Sequence, residues 1–156
     1  MRTIMNDAAF LQKGFQISTD KSLLDFEKIY NYLDGESYWA KGIPADRLRR
    51  AIKNSLCFGI YHQNKQAGFA RVVTDEATFA YICDVFILDE YRSLGLSKWL
   101  IQTIVGYPEF KGIRRWSLAT SDAQGLYSQF GFTQITRPEN WMEIFTPYQS
   151  LKKEED

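Results

Sequence analysis

Apolar and polar positions in the first third of the chain follow patterns typical of one strand and two helices. Phe15–Ser18 alternates residue by residue, which predicts a short strand. Apolar side chains recur at helical spacing over residues 23–33, so we expect a helix there with Ser22 as its N-cap. Pro44 has no N–H to leave unsatisfied, and it therefore predicts the start of a second helix over residues 44–54.

The middle of the chain predicts three consecutive strands. Leu56–His62 and residues 66–74 flank a short polar turn, which is the pattern of a β-hairpin. Residues 78–88 are rich in aromatic and β-branched side chains, which favour a third strand. Antiparallel pairing therefore dominates this part of the predicted sheet.

Helices alternate with strands in the C-terminal half. Residues 97–107 place apolar side chains on one helical face, and Pro108 ends that helix. The elements expected after it are a strand over residues 115–120, a helix over 123–130 capped by Asp122, and strands over 132–136 and 141–145. The charged residues 151–156 are expected to form a frayed tail.

The order βααβββαβαββ predicts an α/β fold, with a mixed sheet of about six to seven strands and helices on both faces. A chain of 156 residues supports one domain, which we assign to residues 1–150. Lys and Arg together number 19, as do Asp and Glu, so the formal net charge is zero. A neutral chain gives no electrostatic indication that nucleic acid or an anionic membrane is its partner.

The N-terminal residues have no apolar core typical of a signal peptide. The most apolar window, residues 79–88, is too short to span a bilayer. We therefore expect a cytoplasmic protein, either a monomer or a homodimer. Cys57 and Cys83 lie in apolar runs and are expected to pack as small hydrophobic side chains, while His62 is expected at the surface. These residues do not suffice for a Cys/His zinc site, and we expect no metal.

The segment over residues 85–97 predicts a buried strand that runs through a tight turn into a helix. Gly95 and the small Ser97 would let a ligand approach the backbone closely. The free N–H groups of a first helical turn favour an anion such as a phosphate. The alternative interpretation is an ordinary strand-to-helix turn.

Two motifs resemble those of the GNAT (GCN5-related N-acetyltransferase) superfamily. Residues 92–97, with the sequence RSLGLS, are similar to the R/Q-x-x-G-x-G/A motif, and residues 123–132, AQGLYSQFGF, are similar to A-x-x-L-Y-x-x-x-G-F. The resemblance implies a sheet that is splayed around its central strand. It also implies transfer of an acetyl group from acetyl-CoA to a primary amine of a small molecule or peptide, by direct attack. The alternative is a non-catalytic acyl-CoA-binding or sensing module.

The resemblance assigns the coenzyme to two stretches of backbone. The pantetheine arm would pair with the central strand at Val85, Phe86 and Ile87. The pyrophosphate would be held by the motif and the residue after it: Arg92, Ser93, Leu94, Gly95, Leu96, Ser97 and Lys98.

Two residues are candidates for proton transfer. Tyr127 occupies the family position of the acid that protonates the leaving thiolate, and the alternative is that it only packs on its helix. Asp84 interrupts an apolar strand and is the candidate general base or ammonium anchor. The alternative for Asp84 is a structural ion pair with a basic residue such as Arg71.

Three residues are candidates for binding the acceptor. Tyr38 and Trp39 lie in the loop between the first two predicted helices, where they could form an aromatic cage for an amine or pack into the core. Arg71 lies on the strand next to the predicted site and could bind an acceptor carboxylate, or it could lie on a solvated sheet face.

Overall fold

The computed structural model describes residues 7–152, and its strands form a five-stranded mixed sheet of order β1-β2-β3-β4-β5. The strands are β1 (Phe15–Ser18), β2 (Leu56–His62), β3 (Lys65–Thr74), β4 (Phe79–Ile87) and β5 (Arg115–Leu118). The helices are α1 (Asp7–Gln12), α2 (Phe26–Asn31), α3 (Ala45–Lys53), α4 (Leu96–Val105), α5 (Gln124–Ser128) and α6 (Tyr148–Lys152). Strands β1 to β4 pair antiparallel in succession, and β5 is parallel to β4. The expected α/β class is confirmed.

Apolar clusters cover both faces of the sheet. On one face, Ile82 of β4 shares a buried cluster with Ile104 of α4. On the other face, Phe69 of β3 shares a cluster with Leu48 of α3. Burial on both faces explains why the central strands are nearly continuous apolar runs, and it confirms helices on both sides.

The region predicted as a single helix over residues 23–33 is divided. Lys21–Leu23 forms a 3-10 turn, α2 follows, and Tyr32–Glu36 closes the region with one π-helical turn. The π turn brings Ser37 and the aromatic loop after it back over the sheet, because the Ser37 N–H donates to the Tyr32 carbonyl.

The expected N-cap at Ser22 is wrong. Its N–H and its hydroxyl both donate to the Asp20 carboxylate, at 2.9 and 2.7 Å, inside the preceding 3-10 turn. Asp25 caps α2 instead by accepting from the Lys28 N–H at 3.2 Å. An Asp is as good a cap as a Ser, so composition alone could not separate the two positions.

The cap expected at Asp122 is wrong as well. The Thr120 hydroxyl accepts from the Ala123 N–H at 3.0 Å and thereby holds the start of α5. Because Thr120 belongs to the turn that this hydrogen bond closes, β5 ends at Leu118, two residues before its predicted end. The early end of β5 shapes the site described below.

The two predicted strands over residues 132–136 and 141–145 are also wrong. Within residues 7–152, neither pairs with the sheet. Their side chains alternate as in a strand, but a strand also needs a partner edge, and here β5 is bonded only on its β4 side. The helix α6 begins before the predicted tail, and residues 153–156 lie outside the described residues.

We predict that Gly68→Ala weakens the sheet where β3 meets the end of β4. Gly68 pairs with Ile87, and a Cβ at position 68 would lie 2.9 Å from the Phe86 carbonyl oxygen. Because that neighbour is backbone, the strands must separate, which should lower the free energy of unfolding in urea by about 1–3 kcal/mol. Gly125→Ala is the control, since a Cβ there meets nothing within 4 Å and a helical Ala is favoured. Equal stability of the two variants would contradict this packing.

Candidate active site

Strands β4 and β5 part toward their carboxyl ends. Strands β4 and β5 pair only as far as Ile82 and Leu118, while β4 continues over residues 83–87, which have no strand partner on that side among residues 7–152. The gap is a cleft of about 310 Å³. Val85, Phe86 and Ile87, the strand residues expected to pair with a pantetheine arm, line it. The splayed sheet expected from the sequence is confirmed.

One extra residue in β4 places an acid beside this cleft. Between the pairs Arg71–Cys83 and Phe69–Phe86, β4 holds one residue more than β3. Asp84 lies in this bulge with φ 55°, a left-handed conformation that Asp tolerates better than most residues. Strict alternation would have placed Asp84 on the face that packs against α4. The bulge turns its carboxylate toward the opposite face instead.

The Asp84 carboxylate is buried and engaged at both oxygens. Arg71 Nε donates to Oδ2 at 2.8 Å, and the Trp39 indole N–H donates to Oδ1 at 3.0 Å. Arg71 Nη1 also donates to the Ser55 hydroxyl at 3.0 Å. Burial opposes the charge of Arg71, but Cys83 and Asp84 raise its pKa above the usual value. The ion pair that was one of the two expectations for Asp84 is therefore present, and Arg71 is not on a solvated face.

The turn before α4 has the geometry of an anion cradle. Ser93 and Gly95 both have positive φ, at 64° and 85°, and Gly95 is the N-cap of α4. Left-handed residues in a turn direct successive N–H groups toward one side, where an anion can bind. Ser93, Gly95, Leu96 and Ser97 line the cleft together with Arg92. Leu94 is half exposed, and neither it nor Lys98 lines the cleft.

The Arg92 guanidinium holds this turn in place. It donates to the Asp89 carboxylate at 2.8 Å, to the Ile87 carbonyl at 3.2 Å and to the Tyr32 hydroxyl at 3.0 Å. Tyr32 in turn stacks on Phe86, with ring centroids 4.1 Å apart. Arg92 thus connects the turn to the end of β4.

Tyr127 faces the same cleft from α5. Its side chain is 7% exposed, and burial, followed by the neighbouring Tyr38, Asp122 and Cys83, raises its pKa to about 12. The phenol therefore keeps its proton throughout the neutral range. The structure brings Tyr127 together with the turn before α4, as the two sequence motifs implied.

Tyr38 and Trp39 form an exposed aromatic edge next to Asp84, to which the Trp39 indole N–H donates. Their side chains are 57% and 38% exposed, so they do not pack into the core. The Tyr38 hydroxyl accepts from the Ser121 N–H at 3.0 Å and lies 3.4 Å from the Asp122 carboxylate. This contact connects the aromatic loop to the turn before α5.

Sequence reasoning missed Tyr148, which α6 brings to the Asp84–Arg71 pair. Burial, followed by the nearby Asp84, raises the pKa of Tyr148, while Arg71 acts in the opposite direction. The helix is held there by Gln149, whose side-chain amide donates to the Lys41 carbonyl at 3.2 Å. No motif surrounds Tyr148, so only its contacts could identify it.

Over the described range, no group of three His, Cys, Asp or Glu side chains could hold a metal ion. The same part of the chain contains no helix that is long and apolar enough to cross a membrane. Cys57 is buried and Cys83 half buried, and burial raises the pKa of their thiols to about 11 and 12. Both thiols are therefore protonated and unreactive at neutral pH.

Comparison with known proteins agrees with this geometry. Residues 26–132 match the sequence profile of the acetyltransferase (GNAT) family. A protein of Gibberella zeae whose name assigns it to the acetyltransferases is 31% identical, over 74% of this chain and 76% of its own length. The matched residues contain the cleft, the bulge and the turn before α4. The chain belongs to the GNAT family and is an acetyltransferase.

Solved structures extend the likeness to the whole fold. A GNAT-family protein of Xanthomonas campestris is 48% identical, with a TM-score of 0.84 over 86% of this chain and 94% of its own. Glucosamine-6-phosphate N-acetyltransferase of Arabidopsis thaliana has a TM-score of 0.59 over 84% of this chain and 97% of its own, at 15% identity. At that identity the likeness shows the fold alone.

We predict that Asp84→Asn destabilises the protein. The change keeps the shape of the side chain but leaves the buried Arg71 without its counter-charge, so the free energy of unfolding should fall by about 3–5 kcal/mol. Asp46→Asn is the control, because its ion pair with Arg49 is exposed, with side chains 99% and 59% accessible. Urea unfolding checks both variants. Similar, small changes in the two would show that the Asp84–Arg71 pair contributes little to stability.

Proposed function

We propose that the protein transfers the acetyl group of acetyl-CoA to a primary amine of a small molecule or peptide. The observation that carries the proposal is the open edge of β4 at residues 85–87, which faces the turn before α4 and Tyr127 across one cleft. A pantetheine arm is a chain of amides and needs such an edge. A pyrophosphate needs such a turn at a helix N-terminus.

In this proposal, backbone N–H groups rather than charged side chains bind the coenzyme. N–H groups of residues 93–98 bind the pyrophosphate, with Gly95 admitting it closely because no Cβ intervenes. Arg92 positions this turn through its contacts with Asp89 and Tyr32. The thioester then lies near the parting of β4 and β5, between Asp84 and Tyr127.

The reaction proceeds by direct attack within a ternary complex. The lone pair of the neutral acceptor amine forms a bond to the thioester carbonyl carbon, and the C–S bond breaks with its electrons on sulfur. Tyr127 gives its proton to the departing thiolate, a role that its raised pKa allows because the phenol is still protonated at neutral pH. The extra proton on the new amide nitrogen leaves toward solvent or a carboxylate, and the tyrosinate regains a proton from solvent.

The acceptor binds on the face where Asp84, Arg71 and the aromatic edge meet. An alkyl ammonium near pH 7 needs an anion, and Asp84 is the buried carboxylate beside the cleft. Trp39 and Tyr38 offer aromatic faces to the same cation. Arg71 keeps the carboxylate in place and offers its remaining donors to an acceptor carboxylate.

The alternative is that Asp84 only holds Arg71 and Trp39 in place and neither binds the ammonium nor transfers a proton. A variant Asp84→Asn whose kcat/KM recovers at high pH, where free amine is abundant, supports ammonium binding or proton transfer. A pH profile of unchanged shape supports the structural role alone.

We predict that acetyl-CoA raises the Tm of the protein and that Gly95→Val abolishes the shift. A ligand at 100 times its Kd stabilises the native state by about 2.7 kcal/mol. Valine at position 95 strains a left-handed backbone and covers the approach to the turn. Gly112→Val is the matched control, with the same strain at φ 90° but away from the cleft. Absence of a shift for the wild type at millimolar acetyl-CoA would contradict the proposal.

We predict that Tyr127→Phe lowers kcat about 10²- to 10⁴-fold and leaves KM for acetyl-CoA nearly unchanged, because only the acidic hydroxyl is lost. The wild-type rate should not fall between pH 8 and 10 through this group, since burial raises its pKa to about 12 and the acid works below its pKa. Steady-state kinetics with release of free CoA measure both effects. Tyr107→Phe, on the aromatic cluster with Phe58 and Phe110, is the control. If Tyr127→Phe keeps the wild-type kcat, Tyr127 has only a packing role and is not the acid.

A further inference from the structure

Tyr32 lies where three parts of the site meet. Its hydroxyl accepts from Arg92 Nη2 at 3.0 Å, its ring stacks on Phe86 with centroids 4.1 Å apart, and its carbonyl accepts from the Ser37 N–H at 2.9 Å. Arg92 belongs to the turn before α4, Phe86 to the open edge of β4, and Ser37 to the loop that carries the aromatic edge. Tyr32 does not itself line the cleft. Any contribution of Tyr32 to the reaction therefore passes through the groups that it holds.

The loop over residues 37–40 is built on the π-helical turn that begins at Tyr32. The turn closes between the Tyr32 carbonyl and the N–H of Ser37, five residues further on. The buried Ser37 hydroxyl then donates to the Leu33 carbonyl at 2.6 Å and accepts from the Ala40 N–H at 3.1 Å. These three hydrogen bonds restrain the loop at both of its ends, so its position depends on that of Tyr32.

The same loop holds one oxygen of the acid beside the cleft. The Trp39 indole N–H donates to Asp84 Oδ1 at 3.0 Å, and the Trp39 ring lies 6.5 Å from that of Tyr32. Arg71, on β3, holds the other oxygen of Asp84 at 2.8 Å. The sheet therefore fixes one oxygen of the carboxylate and the loop fixes the other. A displacement of Tyr32 would move Trp39 and weaken its hydrogen bond to Asp84.

The hydrogen bond between Tyr32 and Arg92 joins a neutral phenol to a charged donor. Burial raises the pKa of Tyr32, while Arg92 acts in the opposite direction. The phenol therefore keeps its proton at neutral pH, and its oxygen accepts from the guanidinium. A hydrogen bond with one charged partner is stronger than one between neutral groups. Tyr32 thus acts together with the Asp89 carboxylate and the Ile87 carbonyl to fix Arg92 at the cleft.

We propose that Tyr32 is a positioning residue that couples the coenzyme turn to the acceptor side of the site. Its hydroxyl fixes Arg92, and the π turn that it begins fixes the loop that holds Asp84. This role rests on the coenzyme site proposed above. A coenzyme bound at the turn restrains Arg92 and, through the Tyr32 hydroxyl, the loop over residues 37–40. By linkage, a restrained loop raises the affinity for the coenzyme by the same factor.

Calorimetric titration with CoA tests whether Tyr32 acts through Arg92. Tyr32→Phe should raise the Kd about 3- to 10-fold through loss of one hydrogen bond, and Arg92→Met should raise it further because all three contacts of the guanidinium are lost. The double variant should bind like Arg92→Met alone. Circular dichroism melts show that each variant is folded at the temperature of the titration. An unchanged Kd in Tyr32→Phe, or two effects that multiply in the double variant, overturns the proposal.

Hydrogen–deuterium exchange of the full chain tests the coupling to the loop. The probe is CoA, which has no acetyl group to reach the acceptor side, at about ten times the Kd of each variant. In the wild type, CoA should slow amide exchange over residues 37–40 at least about threefold. Tyr32→Phe keeps the ring but loses the hydroxyl, so CoA should still bind without slowing exchange in the loop.

Tyr30→Phe is the matched control for both measurements. Tyr30 lies on the same helix, α2, but its ring stacks on Phe26, so this variant should behave like the wild type. If CoA binds but slows the loop equally in Tyr32→Phe and the wild type, or in neither, the role of Tyr32 is overturned and the coenzyme site stands. A wild type that binds neither CoA nor acetyl-CoA overturns the proposed function and the role of Tyr32 together.

Discussion

The buried ion pair between Asp84 and Arg71 is the interaction on which the site depends. It stabilises a left-handed Asp inside a strand, a conformation that few residues tolerate and that a paired carboxylate can hold. The bulge changes which side chains of β4 face each layer. Val85 and Ile87 then pack toward the cluster on α4, while Asp84 meets Arg71 on the opposite face. A charge in β4 is therefore compatible with a sheet buried on both faces.

The parting of β4 and β5 follows from two local features on either side of it. On one strand, the bulge shifts the register of β4 against β3. On the other, the Thr120 hydroxyl accepts from the Ala123 N–H in the turn before α5, and β5 ends at Leu118. Together they leave the last five residues of β4, 83–87, without a strand partner on that side in the described part of the chain. Backbone groups left free in this way are the natural place for a ligand rich in amides.

Much of the fold could be predicted from the sequence, because local patterns set it. The hairpin of β2 and β3, the strand β4 and the helix α4 all lie within two residues of their predicted bounds. The resemblance of the two motifs implied that Gly95 and Tyr127 belong to one site, and both line the same cleft. Caps and C-terminal strands could not be predicted in the same way, since they depend on which neighbour takes a hydrogen bond. The position of Tyr148 beside Asp84 could not be predicted for the same reason, because it depends only on the packing of α6.

A crystal structure of the protein grown with acetyl-CoA tests the central claim most directly. The account predicts amides of the pantetheine arm hydrogen-bonded to the backbone of residues 85–87, the pyrophosphate on the N–H groups that follow Arg92, and the sulfur within reach of the Tyr127 hydroxyl. A coenzyme bound elsewhere, as in the larger pocket between β5 and residues 130–137, would contradict it. So would a cleft in which β4 and β5 close together and exclude the ligand.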